Sequence, residues 1–259
     1  PEIEARLSEQ EYFRPPTEFV GQANVSDPDV YDRFADFPEG FEEYAELLDW
    51  DDHWEATDRD ELDEMRAAGE RMVDRLERLF DGFPASLADV GCGPAFMLFE
   101  AARHHPDATL FGYDAAESVV RRNRSIADER GADTLRFEMA RLPELNVDHR
   151  FECVTCIATL HYVADVRSAL DALYSRVAPG GRLIFNYPNR HTRRAYLEDP
   201  AADPERFELV LDGENLLTYE AIEGILSRRL RSFWKAVDED DWRSIGRANP
   251  CVIVDKPEG

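Results

Sequence analysis

The chain has 259 residues, of which 55 are acidic and 30 basic, giving a net charge of −25; 43% are hydrophobic. It has no apolar run near the roughly 20 residues that a membrane span needs, so no membrane role is expected. So acidic a chain also lacks the basic patch that binding a phosphate backbone requires, which argues against nucleic acid as a partner.

The densest basic runs, Arg121, Arg122 and Arg124, and Arg190, Arg193 and Arg194, are short and flanked by acids. All basic residues but Lys235 and Lys256 are arginines. The balance resembles that of extreme halophiles, whose acidic surfaces stay hydrated where salt screens repulsion over about 3 Å at 1 M. The opening stretch PEIEARLSEQEYF is charged and lacks the apolar segment of a secretory leader, so a cytoplasmic location is expected.

Residues 1 to 58 are predicted to form a helical and irregular arm. They hold Pro15, Pro16, Pro28 and Pro38 among many aromatics, without strand-like alternation. Short helices are expected after Asp27 and after Pro38. There Phe41, Tyr44, Leu47 and Leu48 fall at helical spacing. The main domain is placed at 59 to 259. It opens with a helix from about Asp58 to Phe80, whose Leu62, Met65, Met72, Leu76 and Leu79 share one face. Gly82 and Pro84 end it.

From Ser86 a strand–helix alternation begins. Strands are predicted at SLADVG, ATLFGYD, TLRFE, RFECVTCIA and GRLIFNYP. Helices are predicted at AFMLFEAARHH, AESVVRRNRSIADERG, VRSALDALYSRV and TYEAIEGILSRR. Apolar strands bounded by helices imply a parallel sheet covered on both faces. Residues 190 to 217 read as irregular. RSFWKAV and NPCVIVDK read as two last strands joined by the acidic turn DEDDW, an antiparallel hairpin closing the sheet edge.

Cys153 and Cys156 form a C-x-x-C, but on a strand positions i and i+3 point to opposite faces and cannot share a metal. With no second such pair, neither a metal nor a disulfide is expected. His104 and His105, at a helix end, are expected to cap it.

The segment Asp89-Val90-Gly91-Cys92-Gly93-Pro94-Ala95 follows a predicted strand and opens a helix. Glycine lets backbone approach a ligand closely, and the helix start behind it offers free N–H groups. Asp114 ends the next strand, placed to accept hydrogen bonds from both hydroxyls of a ribose.

With these features, residues from about 68 to 259 resemble class I methyltransferases that use S-adenosylmethionine (SAM). Tyr113-Asp114, Ala158-Thr159-Leu160-His161-Tyr162-Val163 after the fourth strand, and Val177-Ala178-Pro179-Gly180-Gly181 before the fifth carry the likeness further. It implies a Rossmann-like α/β fold with a seven-stranded, mostly parallel sheet, helices on both faces, and SAM converted to S-adenosylhomocysteine. By the same resemblance Asp89 lies near the methionine amino group, and Gly91, Cys92 and Gly93 line the cofactor turn. Asp114 and Ala115 lie at the ribose, Glu138 and Met139 beside the adenine, and Cys156, Ile157 and Ala158 along the methionine. Ala95 replaces the family's third glycine, a change that suits a negative φ, and Glu138 replaces the more usual Asp. A nicotinamide dinucleotide, the rival for such a turn, needs that third glycine.

Methyl transfer from a sulfonium is an in-line displacement in which positioning and desolvation do much of the work. Candidates near the methyl are His161 and Tyr187 for catalysis, and Trp54, Tyr162 and Asn189 for the acceptor, expected to be a small molecule. Packing explains His161 and Tyr187 as readily as catalysis does. The family's Asn/Asp-Pro-Pro-aromatic motif is absent after the fourth strand, which argues against adenine, cytosine and glutamine acceptors. Asn186-Tyr187-Pro188-Asn189 lies one strand later. A SAM-binding protein without transfer activity is the alternative from another class.

Residues 2 to about 54, with Phe19-Val20-Gly21-Gln22-Ala23-Asn24-Val25 and Phe41 to Trp54, are similar to the N-terminal segment of acetyl-CoA synthetases. The phosphate loop of those enzymes does not follow, so a synthetase activity is excluded.

Overall fold

A computed structural model describes residues 59–200, 202–240 and 242–258. The predicted arm, 1–58, and Trp54 with it, lies outside the described residues. Helix α1 spans Arg59–Phe80, close to its expected bounds. Then come β1 (Ser86–Val90), α2 (Phe96–His104), β2 (Thr109–Asp114), α3 (Glu117–Arg130), β3 (Leu135–Met139) and β4 (Phe151–Cys156). A short 3₁₀ turn at Leu160–Tyr162 leads to α4 (Val166–Ser175) and β5 (Val177–Asn186). The remainder is α5 (Arg190–Glu198), α6 (Glu208–Asp212), α7 (Tyr219–Leu226), β6 (Leu230–Ser232), α8 (Phe233–Ala236), α9 (Trp242–Ala248) and β7 (Cys251–Asp255).

The strands form one seven-stranded sheet in the order β3-β2-β1-β4-β5-β7-β6. β1 to β5 run parallel, and β7 is antiparallel to both β5 and β6. The fold is therefore the mostly parallel α/β sheet expected from the strand–helix alternation. Two apolar layers, one on each face, hold it together. Leu87, Leu110, Cys153, Ile184 and Ile253 pack under Met72, Leu76, Leu98 and Val120. Val90, Tyr113, Val154, Cys156 and Phe185 pack under Leu170, Leu173, Ile222 and Leu226. Cys153 and Cys156 thus face opposite layers, and all four cysteines are buried free thiols.

Three expectations are corrected. RSFWKAV is not the long strand expected of it: β6 stops at Ser232, whose hydroxyl caps α8 by accepting the Lys235 N–H. Adjacent Phe233 and Trp234, and adjacent Ala236 and Val237, all pack in the α1 layer, which a helical turn allows and the alternating faces of a strand do not. The antiparallel pair exists, but two short helices replace the acidic turn between its strands. Residues 190 to 217 are not irregular either. Asn189 accepts the N–H of His191 at 2.7 Å and of Thr192 at 3.0 Å, and the Thr192 hydroxyl accepts the Asn189 N–H at 3.1 Å, a capping box that starts α5. Finally, β5 begins at Val177 rather than Gly181, with a register shift against β4 that Gly180 accommodates at φ 78°. Of the two histidines expected to cap α2, His105 ends it through its backbone N–H on Ala101, while its ring stacks on Phe83 and meets Glu77 at 2.7 Å.

Arginines tie α1 to the far end of the sheet. Arg75 meets Glu239 at 2.8 Å, and Arg182 on β5 donates to the Leu79 carbonyl at 2.7 Å with its guanidinium 4.4 Å over Phe80. Where α1 crosses α2, Gly69 lets the backbones touch: a Cβ there would lie 2.8 Å from the Met97 nitrogen. Gly69→Ala should therefore destabilise the domain by about 1–3 kcal/mol, despite the roughly 1 kcal/mol that alanine gains in an exposed helix. The urea midpoint reads this directly, and a rise in midpoint would refute the close crossing.

Candidate active site

Strand order reverses between β1 and β4, and the crevice that reversal leaves opens at the carboxyl ends of the strands. The glycine turn stands there. Gly91 and Cys92 both donate to the Tyr113 carbonyl, at 2.8 and 3.0 Å, and fold the chain back over β2. The Gly93 N–H donates to Asp114 Oδ2 at 2.8 Å, and the other oxygen accepts the Ala116 N–H at 3.0 Å. From behind, Asn123 on α3 donates to the Gly93 carbonyl at 2.8 Å. A single carboxylate thus joins the turn to the start of α3.

The turn bends through left-handed backbone: φ is 75° at Gly91, 49° at Gly93 and 56° at Ala95. The last value corrects the expectation for Ala95. Its φ is positive, so its Cβ sits where only glycine is comfortable, at a cost of roughly 1–2 kcal/mol. That Cβ is nevertheless packed in the α1 layer.

Asp89, paired directly with Thr155 on β4, is buried and accepts the Thr155 hydroxyl at 2.7 Å. Burial pushes its carboxyl up from 3.8 to about 7, with the Thr155 bond opposing and the Asp114 charge adding to the rise. Among the described residues it has no cationic partner. On the other flank, β3 lies beside β2 with Glu138 opposite Tyr113 and Met139 opposite Asp114. Glu138 is exposed, as is Met139 at 48%. Cys156 is buried at the end of β4, followed by half-buried Ile157 and by Ala158 at φ 58°. The structure therefore gathers the predicted cofactor residues, Ala115 included, along the ends of β1 to β4.

The expected catalytic and acceptor residues divide differently. His161 lies in the 3₁₀ turn, 6% exposed, with its ring 6.1 Å from that of Tyr196 and its Nδ1 without a hydrogen-bond partner. Burial pulls its imidazole down from 6.5 to about 4, so the ring is neutral at physiological pH. Tyr162 stacks on Phe207 at 5.8 Å, and its hydroxyl accepts from Arg206 at 3.2 Å. Tyr187 is buried in the α4 layer, 6.3 Å from the Phe185 ring, with its phenol pushed up to about 12 by burial. The Asn189 carbonyl oxygen caps α5 and its amide nitrogen donates to the Arg247 carbonyl at 3.1 Å. Trp54 lies outside the described residues.

Sequence reasoning missed several polar residues that hold this end of the sheet: Asn123, Thr155, Thr159, Asn186 and Asn215. Asn123 carried a signal, since it stands four residues from both Val119 and Ala127 on the buried stripe of α3. Buried Asn215 donates to the carbonyls of Leu160 and His161 at 3.1 and 2.8 Å, and its Oδ1, like His161 Nδ1, has no partner. Nothing in the local sequence pointed to it.

Residues 85–226, more than half of the chain, match the family model of a methyltransferase domain. The chain belongs to the methyltransferase domain family. A trans-aconitate 2-methyltransferase from Streptomyces coelicolor is 30% identical over 156 residues, covering 58% of this chain and 52% of that protein. A ubiquinone biosynthesis O-methyltransferase from Coxiella burnetii is 29% identical over 110 residues, covering 42% of this chain and 45% of its own. The chain spans about half the length of these curated relatives. Among solved structures, the plantazolicin methyltransferase BpumL, in complex with a monoazolic desmethylPZN analog and SAH, aligns at a TM-score of 0.57 and 13% identity. The match covers 84% of this methyltransferase domain chain and 93% of that one, and at such identity the likeness is one of fold.

Gly91 is the tightest point of the turn. A Cβ on it would lie 2.1 Å from Thr159 Oγ1. Gly91→Ala should cost about 2–4 kcal/mol from the clash and the positive φ together. Removing the obstructing side chain with Thr159→Gly should recover about half of that in a double-mutant cycle. Additive losses, measured by chemical denaturation, would show that the two residues are not in contact.

Proposed function

We propose that this chain is a SAM-dependent methyltransferase acting on a small-molecule acceptor. The observation that carries the proposal is the crevice between β1 and β4, where a left-handed glycine turn, the Asp114 carboxylate and the buried Asp89 converge. Asp89 provides the test of fit. A carboxyl raised to about 7 by burial, with no cation beside it among the described residues, is a group that an α-ammonium would ionise and pair with. In this reading Asp114, whose two oxygens accept the Gly93 and Ala116 N–H groups and so face the end of the glycine turn, accepts the ribose hydroxyls. Glu138 and Met139 flank the adenine, while Cys156 and Ile157 line the methionine. Bound there, SAM supplies a sulfonium methyl open to displacement.

The flanking residues favour a particular acceptor chemistry. A general base works best with a pKa near the operating pH, and neither neutral His161, at about 4, nor Tyr187, at about 12, meets that condition. The site therefore suits an acceptor that carries an available lone pair at neutral pH, such as a carboxylate. His161 would orient that acceptor, and the Tyr162, Tyr196 and Phe207 rings would exclude water from it. A curated relative named for a small carboxylic acid, trans-aconitate, agrees with this reading.

Calorimetric titration should show binding of SAM and S-adenosylhomocysteine and none of NAD. Asp114→Asn should weaken SAM by about tenfold or more. A wild-type Kd in that variant would remove Asp114 from the ribose, and absence of SAM binding by the wild-type chain would overturn the function.

The pH dependence has a definite sign. In the free fold Asp89 is protonated below about 7, so its contribution to stability is full at pH 4 and is lost as pH rises to about 7. SAM requires the carboxylate, so its affinity should fall by about tenfold from pH 7.5 to 6, with proton release on binding. Asp89→Asn should abolish this slope and raise the melting temperature at pH 8. An affinity independent of pH would place the ammonium elsewhere.

A further inference from the structure

The crevice wall on the β4 side is held by a chain of side-chain contacts that runs across three loops. At its outer end Asn249 is fixed through its backbone: its N–H donates to the Ile245 carbonyl at 3.1 Å, and its own carbonyl accepts Trp234 Nε1 at 2.8 Å. Its side-chain oxygen accepts Nδ2 of Asn186, the last residue of β5, at 2.8 Å. Asn186 is 4% exposed, and this bond fixes which way its amide faces. Its Oδ1 is thereby turned to the loop after β4, where it accepts the Ala158 N–H at 2.7 Å.

That bond lands on strained backbone. Ala158 has φ 58°, a conformation an alanine holds only where its surroundings enforce it. The left-handed residue turns the chain so that Thr159 faces the glycine turn. Its hydroxyl lies 3.1 Å from the Ile157 carbonyl, 3.3 Å from that of Val90 and 3.4 Å from that of Gly91. Its side chain fills the space that a Cβ on Gly91 would need.

We propose that Asn186 is a positioning residue for the cofactor turn: anchored on Asn249, it holds Ala158 left-handed and so presses Thr159 onto Gly91, fixing the width of the crevice between β1 and β4. Its consequence for SAM affinity rests on the function proposed above; its consequence for loop order does not. A lost buried amide leaves the Ala158 N–H without its acceptor, and the strain at φ 58° then favours a different loop conformation.

The test compares the full chain with Asn186→Leu, Asn186→Asp and Asn249→Ala by two measurements, each made at least about 10 °C below melting. The first is hydrogen exchange of the proteins without cofactor. The second is the Kd for SAM and S-adenosylhomocysteine. Asn186→Leu should speed exchange in 91–93 and 157–159 by about tenfold, leave β4 and β5 protected, and weaken SAM by about tenfold. Asn186→Asp keeps an acceptor for Ala158 while the Asn249 amide turns to donate, and both readouts should stay within about threefold. Asn249→Ala, which leaves Asn186 intact but unanchored, should fall between them, and it decides the matter if Asn186→Leu does not fold. Lowered melting temperature with unchanged loop exchange would overturn the proposal and leave Asn186 a satisfied core amide. A wild-type chain that binds neither ligand would overturn the cofactor reading alone, with the exchange data still deciding the clamp.

Discussion

The parting of β1 and β4 is the constraint on which the rest of this molecule depends. The two strands pair in parallel, yet the chain leaves β1 toward β2 and leaves β4 toward β5. Their following loops are carried to opposite sides and cannot cover the sheet between them. The turn after β1 must therefore bend sharply, which puts left-handed φ at Gly91, Gly93 and Ala95, and the loop after β4 must bend away, which puts it at Ala158. Left-handed backbone thus gathers at the carboxyl ends of the two strands, where open α/β sheets bind their ligands.

Much of this was legible in the sequence because it rests on local pattern. The parallel strands are short apolar runs, α1 is a long amphipathic stretch, and Asp89 to Gly93 and Asp114 carry a turn chemistry that few other structures require. What was not legible is set by contacts between distant segments. RSFWKAV has the aromatic and branched residues of a strand, but the apolar surface of α1 receives Phe233 and Val237 from one side, and burial overrode local preference. The start of α5 was written in Asn189-x-x-Thr192, yet the same asparagine also suited a substrate contact. Ala95 looked harmless because a sequence does not display φ. Asn215 left no trace at all, and Asn186 showed only as the start of Asn186-Tyr187-Pro188-Asn189, since their partners lie 28 or more residues away in the chain.

The charge balance has its own structural counterpart. Among the described residues several of the longest-range polar contacts are made by arginine: Arg75 with Glu239, Arg78 with the Val237 carbonyl at 3.1 Å, and Arg182 with the Leu79 carbonyl. A planar guanidinium can stack on an aromatic ring and still donate at its edge, as Arg182 does over Phe80 and Arg75 over Trp234. In a chain nearly devoid of lysine, these arginines serve as cross-links between distant segments.

The insertion of β7 between β5 and β6 bears on how the sheet meets other chains. An open sheet ends in unpaired N–H and C=O groups, and a long flat edge is a template for misassembly. Here one margin is β6, only three residues long and closed by the cap of α8. The opposite margin is β3, which alternates buried Leu135 and Phe137 with exposed Arg136 and Glu138. One described border is too short to extend far and the other presents Arg136 and Glu138, features that disfavour the addition of strands from a second copy.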